Sequence, residues 1–230
     1  MKISVVMLAK SATNKHKVMT ANAINSLRAS TNAEIEIHLV ESGEPTPYVA
    51  NCHQLPGEFG YNKAMNFGFQ KASDSGLGEY VILANNDLVF INGWLEEIVR
   101  FMDKYKMDSA CPFNPGWPQH EAFHVSHPGW EVVDDWAVGA GYCGWLIVLT
   151  KKAALELFPF PEEIEFWCAD NFAAHKQMKL GHVHGLVMSS RVKHLTSSSH
   201  DLIPYDKHHR WTHGQAEILG KLLSETDRSN

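Results

Sequence analysis

The feature that most constrains the fold is an uninterrupted apolar run that ends in a polar tripeptide. Residues 80–84 read Tyr-Val-Ile-Leu-Ala, and Asn85–Asp87 follow them directly. An apolar run without polar alternation is typical of a strand buried on both faces, as in a parallel sheet covered by helices. Polar residues that follow such a strand lie at the carboxyl edge of the sheet, where α/β folds bind their ligands.

The first part of the chain alternates between strand and helix patterns. Ile3–Leu8 is apolar and Glu34–Val40 alternates, which predicts two further strands. Helical spacing follows them in Val18–Leu27 and Gly60–Ala72, and another helix is predicted to begin near Gly93. This β-α-β-α-β order predicts a mainly parallel, twisted sheet with helices on both faces and right-handed crossovers.

The second part of the chain predicts a smaller, less regular extension of the same sheet. Trp145–Thr150 and Val183–Met188 are apolar runs of strand length. Helical patterns cover Lys151–Leu157 and Asn171–Lys179, and Gly181 follows the second of them as a C-terminal glycine would.

The segment Cys111–Trp130 predicts an extended surface loop, because its four prolines, three histidines and two tryptophans follow no period. Its histidines, at positions 120, 124 and 127, have a spacing that would suit a zinc site on a helix. The prolines and glycines around them argue against a helix, so we expect loop histidines without a metal. Aromatic residues of this segment, Trp117 and Trp130 among them, are candidates for contact with a substrate or for a lid, together with His120 and His124.

Length and composition set the domain organisation and the compartment. The 230 residues suit one domain over residues 1–200, with a tail over residues 201–230 whose helix, Gln215–Leu223, packs on or extends it. The net charge of −6 disfavours a generally basic nucleic-acid surface. Four widely spaced cysteines without a CxxC pair indicate reduced thiols. Because no signal peptide or membrane span is predicted, we expect a cytoplasmic enzyme, in the host cytoplasm if the chain is viral.

Asp87 is the first candidate for chemistry. A carboxylate at this edge of the sheet can hold Mg²⁺ or Mn²⁺, which would bridge the phosphates of a nucleotide diphosphate. A purely structural role is also open, in which the Asn-Asp sequence forms an Asx turn and caps the next helix.

The run Gly78–Asp87, followed by Gly93–Leu95, resembles the metal-binding signature of family-2-type glycosyltransferases with the GT-A fold. The resemblance implies a Rossmann-like, mainly parallel sheet flanked by helices, with a small antiparallel extension. It places Asp87 on the metal and Asn85 and Asn86 beside the nucleotide. Asn85 replaces the first acid of the usual Asp-x-Asp motif.

Three further stretches resemble donor-binding segments of the same family. Ala9 ends the first strand, which in the family touches the nucleotide base. Glu41 stands where the family has an aspartate on the base or ribose. Asn62 and Asn66 lie in a Gly-x-x-x-Ala-x-Asn-like segment that opens a helix beside the donor.

The remaining matches concern the sugar and the acceptor. Gly141 belongs to the glycine-rich stretch 139–145, which resembles the segment that borders the donor sugar. Asp170 matches the acid that acts as general base in inverting members, although it could instead cap a helix. His194 resembles the strand-end histidine that completes the metal shell, and His200 is a second candidate.

Together these matches imply a metal-dependent, inverting glycosyltransferase that uses Mn²⁺ or Mg²⁺ and a nucleotide-diphosphate sugar, with a UDP-sugar as the expected donor. The acceptor, a glycan or a small molecule, and the oligomeric state are left open. The compact chain is also similar to phage glycosyltransferases that modify hydroxymethylated pyrimidines in DNA, with a basic rim formed by Arg191, Lys193, Lys207, His208, His209 and Arg210. A nucleotidyltransferase and a non-catalytic carbohydrate-binding domain are also compatible with the sequence.

Overall fold

The computed structural model describes residues 1–44, 48–195 and 214–224. Over these residues a mixed sheet of nine strands carries helices on its faces. The strands are β1 (Lys2–Ala9), β2 (Glu34–Glu41), β3 (Cys52–Gln54), β4 (Tyr80–Asn85), β5 (Leu88–Phe90), β6 (Ser109–Phe113), β7 (Val132–Val133), β8 (Leu146–Thr150) and β9 (His184–His194). The helices are α1 (Asn14–Ala29), α2 (Tyr61–Asp74), α3 (Trp94–Tyr105), α4 (Pro118–Ser126), α5 (Lys151–Leu157) and α6 (Ala169–Lys179), and residues 214–224 are also helical.

The sheet has a parallel part and a largely antiparallel part, as predicted. Its strand order is β3-β2-β1-β4-β8-β6-β9-β5, and β7 pairs with β9 beside this path. β1 pairs in parallel with both β2 and β4, whereas β8 runs antiparallel to β4 and to β6. The alternation of strand and helix in the first part of the chain therefore builds the parallel part.

Helices α1 and α2 pack closely on the parallel strands. α1 begins after Thr13, whose side chain accepts a hydrogen bond from the backbone N–H of His16, as N-cap threonines do. α2 passes over β1 and β2 at Gly68, where an added Cβ would lie 2.5 Å from Val6 and 2.7 Å from Val40. The small residue lets the helix backbone approach the sheet and fixes where the start of α2 meets the sheet edge.

The prediction of an extended loop over Cys111–Trp130 is wrong. Cys111 lies within β6, and residues 118–126 form helix α4. Pro118 stands at the start of this helix, where a missing N–H costs nothing and the fixed φ of proline suits the first turn. The prolines therefore mark the helix boundary. His120 lies on a helix and is completely buried, so the expectation of a loop histidine is wrong as well.

The last strand of the sheet is longer than predicted. β9 continues past Met188 to His194 and pairs with β5, which places His194 opposite Leu88. The helix predicted over Gln215–Leu223 matches residues 214–224. His200 and residues 207–210 of the proposed basic rim lie outside the described residues. In the part of the chain that the structure describes, each helix is too short or too polar to cross a membrane.

Candidate active site

The register of the parallel strands brings three predicted residues to one edge of the sheet. Ala9 is aligned with Glu41 across the β1–β2 pair. Leu8 is aligned with Asn85 across the β1–β4 pair. All three strands run in the same direction and end at Ala9, Glu41 and Asn85. These residues therefore lie together at the carboxyl edge of the sheet, where α/β proteins bind ligands.

Glu41 ties together the turns that follow β1 and β2. Its side chain is fully buried, and its Oε1 accepts the backbone N–H groups of Ser11 at 2.8 Å and Gly43 at 2.6 Å. Its Oε2 has no hydrogen-bond partner within the described ranges. A buried carboxylate oxygen without a donor is costly, so this atom is suited to accept an N–H or O–H group from a ligand.

Asp87 and His194 face each other across the β5–β9 pair. Leu88 is aligned with His194, and the backbone N–H of Leu195 donates to the carbonyl of Asp87 at 2.8 Å. This pairing places His194 Nε2 3.2 Å from Asp87 Oδ1, although that oxygen accepts no hydrogen bond from any described group. Both side chains are largely buried. The carboxylate oxygen of Asp87 and the ring nitrogen of His194 lie close enough to contact the same ligand atom.

The ring of His194 is held from two further directions. The ring of Trp145 stacks on it with a centroid distance of 5.2 Å and an interplanar angle of 16°. The backbone N–H of His194 donates to Asn114 Oδ1 at 3.2 Å, and Asn114 is itself buried. Stacking and backbone anchoring limit the rotation of the imidazole, as supporting residues do around metal ligands.

The two asparagines before Asp87 differ in orientation. Asn85 is half-buried at the end of β4. Asn86 is buried, and its Nδ2 donates to Thr20 Oγ1 at 2.8 Å, so its side chain is directed toward α1. Asn86 thereby links the strand end to the helix.

Asp170 lies in the first turn of α6, on another segment of the chain. The helix starts at Ala169, and Cys168 is the residue before it, in the left-handed region with a φ of 67°. Asp170 is therefore not the N-cap, although its Oδ1 accepts the N–H of Asn171 at 3.0 Å. Burial raises the pKa of the Asp170 carboxyl above its ordinary value, because a low-dielectric surrounding disfavours the charged form.

Gly144 lets the glycine-rich segment approach Asp170. An added Cβ at Gly144 would lie 2.7 Å from Asp170 Cβ and 3.0 Å from its Oδ2, so only glycine fits there. Gly141, the predicted glycine, is buried instead, and its N–H donates to Asp135 Oδ2 at 3.1 Å. An added Cβ at Gly141 would lie 2.1 Å from the carbonyl oxygen of Asp135.

Tyr61 is a site residue that the sequence reasoning missed. Its hydroxyl group donates to the carbonyl oxygen of Gly144 at 2.9 Å. Burial raises the pKa of Tyr61 strongly, and the carboxylates of Asp170 and Asp87 raise it further. The hydrogen bond of Tyr61 ties the start of α2 to Gly144, the glycine that packs against Asp170. The place of Tyr61 at the first position of α2, beside the predicted Asn62, is the signal that could have found it.

Asn62 and Asn66 lie one helical turn apart on α2 and hold the chain before α6. Asn62 Nδ2 donates to the carbonyl oxygen of Pro161 at 2.8 Å. Asn66 exchanges two hydrogen bonds with the backbone of Phe160, at 2.9 Å and 2.8 Å. The structure thus directs both amides toward the 160–161 segment, which leads to Asp170.

His120 connects α4 to the glycine-rich segment. Its Nδ1 accepts the N–H of Asn114 at 2.7 Å, so the ring proton lies on Nε2, which donates to the carbonyl oxygen of Ala140 at 2.8 Å. Burial lowers the pKa of His120 to about 4, so the ring is neutral near pH 7. The described residues contain no group of three or more histidine, cysteine or acidic side chains placed to hold a metal ion.

Solved structures with a similar fold include two glycosyltransferases. A crystal structure of GalNAc-T7 with UDP, GalNAc and Mn²⁺ has a TM-score of 0.64 at 14% identity, over 84% of this chain and 44% of the other. S. aureus TarS has a TM-score of 0.60 at 18% identity, over 88% of this chain and 38% of TarS. A shorter TarS structure, residues 1–349, has a TM-score of 0.60 at 16% identity, over 84% of this chain and 59% of the other. The chain thus spans only part of each of these proteins and shares their GT-A fold.

The sequence itself identifies the family. Residues 4–133 match glycosyl transferase family 2, which is more than half of the chain. A search of curated protein sequences gives no significant match. The chain therefore belongs to glycosyl transferase family 2, and the prediction of a glycosyltransferase with the GT-A fold is confirmed.

Proposed function

We propose that this chain is a metal-dependent, inverting glycosyltransferase that moves a sugar from a nucleotide-diphosphate sugar to a hydroxyl group of a glycan or small molecule. The observation that carries the proposal is the segment formed by Gly144 and Trp145. An added Cβ at Gly144 would lie 2.7 Å from Asp170 Cβ, and the ring of Trp145 stacks on that of His194, which lies 3.2 Å from Asp87. The two carboxylates with the predicted roles therefore flank the same short segment. Family membership supplies the reaction class.

The residues present fit a divalent cation. Asp87 Oδ1 is buried without a hydrogen-bond partner among the described residues, and His194 Nε2 lies 3.2 Å from it. One carboxylate and one imidazole leave the remaining positions to phosphate oxygens and water. The oxygen ligands suit both Mg²⁺ and Mn²⁺, and the imidazole nitrogen favours Mn²⁺. The bound cation would neutralise the charge that develops on the leaving diphosphate.

The donor nucleotide is assigned to the edge formed by β1, β2 and β4. Ala9, Glu41 and Asn85 end there together, and Glu41 Oε2 is the buried oxygen that needs a donor group. An N–H of a base or a ribose hydroxyl would supply it. A UDP-sugar is the proposed donor, because a GT-A protein of similar fold has been crystallised with UDP and Mn²⁺.

Asp170 is the proposed general base. Its pKa is raised by burial, which makes its carboxylate a stronger base. Asp170 would take the proton of the acceptor hydroxyl while that oxygen bonds to the anomeric carbon and the bond to the diphosphate breaks. Attack opposite the leaving group inverts the configuration at that carbon. Tyr61, Asn62, Asn66 and Gly144 would position the two segments that meet at this base.

A DNA acceptor is the second candidate, because Arg191 and Lys193 are both exposed on β9, directly before His194. Cations beside the site would bind a phosphate backbone, and such binding weakens steeply as salt rises. Salt-sensitive binding to DNA containing hydroxymethylated pyrimidines, reduced in Arg191→Ala, would favour this acceptor. Salt-insensitive binding, or none, would exclude it.

A thermal-shift panel tests the proposal. Nucleotide diphosphates and sugar nucleotides are each added with and without Mn²⁺, and the unfolding temperature is recorded. A ligand that binds only the folded state raises that temperature. We expect one nucleotide series to stabilise the protein and to require Mn²⁺ for its full effect. No response to any member of the panel would contradict the donor assignment.

A further inference from the structure

A small cavity lies beside Asp170, on the inner side of the proposed site. Its volume is about 20 Å³, which is enough for one water molecule. Tyr61, Asn62, Tyr142 and Asp170 are the polar residues of its lining, and most of the wall is apolar. A cavity with several polar groups is the kind that holds ordered water, whereas purely apolar cavities stay empty.

Two of the lining residues have a hydrogen-bonding capacity that the described protein groups do not fill. Asn62 is fully buried, and its Oδ1 has no partner among the described residues, although its Nδ2 is bonded to Pro161. Tyr142 is also buried, and its hydroxyl oxygen accepts from Gln177 Nε2 at 2.8 Å. The proton of that hydroxyl group therefore remains to be donated. An unfilled buried acceptor is destabilising, and a single bridging water would satisfy it.

We propose that one ordered water molecule occupies this cavity, accepts the hydroxyl proton of Tyr142, and donates to Asn62 Oδ1 and to the carboxylate of Asp170. Asn62 and Tyr142 then act as positioning residues for Asp170. The proposed water site is supported by the cavity and by the unfilled hydrogen-bonding groups of its lining. Only the description of Asp170 as a base rests on the proposed function.

The water would counteract the effect of burial on Asp170. The titratable groups around this carboxylate are Tyr61 on α2, Tyr142 and Cys143 on the glycine-rich segment, and Cys168 before α6. Each of these groups is neutral when protonated, so none supplies a positive charge. A donated hydrogen bond from water favours the ionised carboxylate and keeps its pKa lower than burial alone would set it.

The test measures the ionisation of Asp170 directly. Carbon-13 NMR of labelled aspartate carboxyl groups follows its titration in the wild type and in two variants, with Asp170→Asn used to assign the signal. Tyr142→Phe removes the donor hydroxyl and keeps the ring, and Asn62→Leu removes the acceptor at similar volume. Met65→Leu is the matched control, because Met65 lines the same cavity without a polar hydrogen-bonding group. A folded Tyr142→Phe protein is sufficient for the test if Asn62→Leu does not fold.

We expect the Asp170 midpoint to rise by about one pH unit in Tyr142→Phe and in Asn62→Leu, as the loss of one hydrogen bond to a charged group implies. It should stay unchanged in Met65→Leu. A midpoint that is the same in all of these proteins overturns the proposal, as does a high-resolution crystal structure with a dry cavity.

The same variants separate this inference from the proposed function. If Asp170 is the base, Tyr142→Phe lowers kcat and shifts the pH profile of transfer while the KM for the donor stays the same. If the NMR midpoint shifts but transfer does not change, the water site stands and the role of Asp170 as base is wrong. If transfer changes without a shift of the midpoint, the water link is wrong.

Discussion

The proposed donor edge of the sheet, where Ala9, Glu41 and Asn85 lie, and the proposed acceptor side, where Asp170 lies, are built in different ways. At the proposed donor edge, these three residues are the last residues of regular strands, and strand register brings them together. On the acceptor side, Asp170 takes its position from Gly144, which is distant in sequence and touches its side chain. Local pattern therefore specifies the donor edge, whereas long-range packing specifies the acceptor side.

This difference implies that transfer can be lost while metal and donor binding are kept. The largest effect is expected from Asp87→Asn, which removes the charge and weakens the oxygen ligand of the proposed cation. Turnover should fall below detection, and Mn²⁺-dependent donor binding should weaken with it. Glu163→Gln is the control, since Glu163 is an exposed acid and should tolerate the change. Full activity of Asp87→Asn with Mn²⁺ would contradict the metal assignment.

Asp170→Asn should affect transfer alone. General-base catalysis accelerates a reaction by about a hundredfold or more, so kcat should fall by at least that factor. Donor affinity, measured by calorimetry, should stay at the wild-type value because Asp170 is not among the residues proposed to bind the nucleotide or the cation. A variant that loses donor affinity as well would show that the two sides of the site are not separable.

Gly144→Ala should produce a smaller loss by moving the base. The added methyl group would lie 2.7 Å from Asp170 Cβ, so the carboxylate must shift. Displacement by about 1 Å can cost up to roughly a hundredfold in rate, and we expect at least tenfold here. Gly220→Ala is the control, since an added Cβ there meets no described atom within 4 Å. Unchanged kinetics in Gly144→Ala would refute the close contact.

The smallest effect on turnover at neutral pH is expected from substitution of His120, because this buried residue affects the stability of the folded protein. Its folded-state pKa of about 4 lies below the ordinary 6.5, so the unfolded chain binds more protons between these values. The free energy of unfolding should therefore fall as pH drops from 6.5 toward 4, by on the order of 1–3 kcal/mol.

His120→Gln should flatten this part of the pH profile when unfolding is measured with denaturant at several pH values. His124→Gln is the matched control, because His124 is exposed on the same helix. An unchanged profile in His120→Gln would mean that the buried histidine does not contribute to acid sensitivity.

The sequence predicts the residues of the proposed donor edge more accurately than the rest of the site. The strands ending at Ala9 and Asn85 follow from apolar runs, which are a strong local signal of buried parallel strands, and the strand ending at Glu41 follows from an alternating pattern. Asp87 and His194 follow from the family resemblance, and the structure places them 3.2 Å apart. Their role in holding a metal stays a prediction.

The acceptor side is harder to predict because its contacts join distant residues. Helix α4 escapes the sequence pattern because prolines are typical of loops, although Pro118 starts the helix. The glycine-rich stretch points to Gly141, but Gly144 is the glycine against Asp170. The place of Tyr61 at the start of α2 is a sequence signal, but its hydrogen bond to Gly144 appears only in the structure. No local pattern encodes these pairings.

The most direct test of the central claim is electron paramagnetic resonance of Mn²⁺ titrated with protein and UDP. The signal of free Mn²⁺ should decrease when the wild-type protein and UDP are both present, because Asp87, His194 and the diphosphate would hold the ion together. In Asp87→Asn, under the same conditions, the signal should stay close to that of Mn²⁺ with UDP alone. Equal loss of the free signal in both proteins, or no loss in the wild type, would contradict the account.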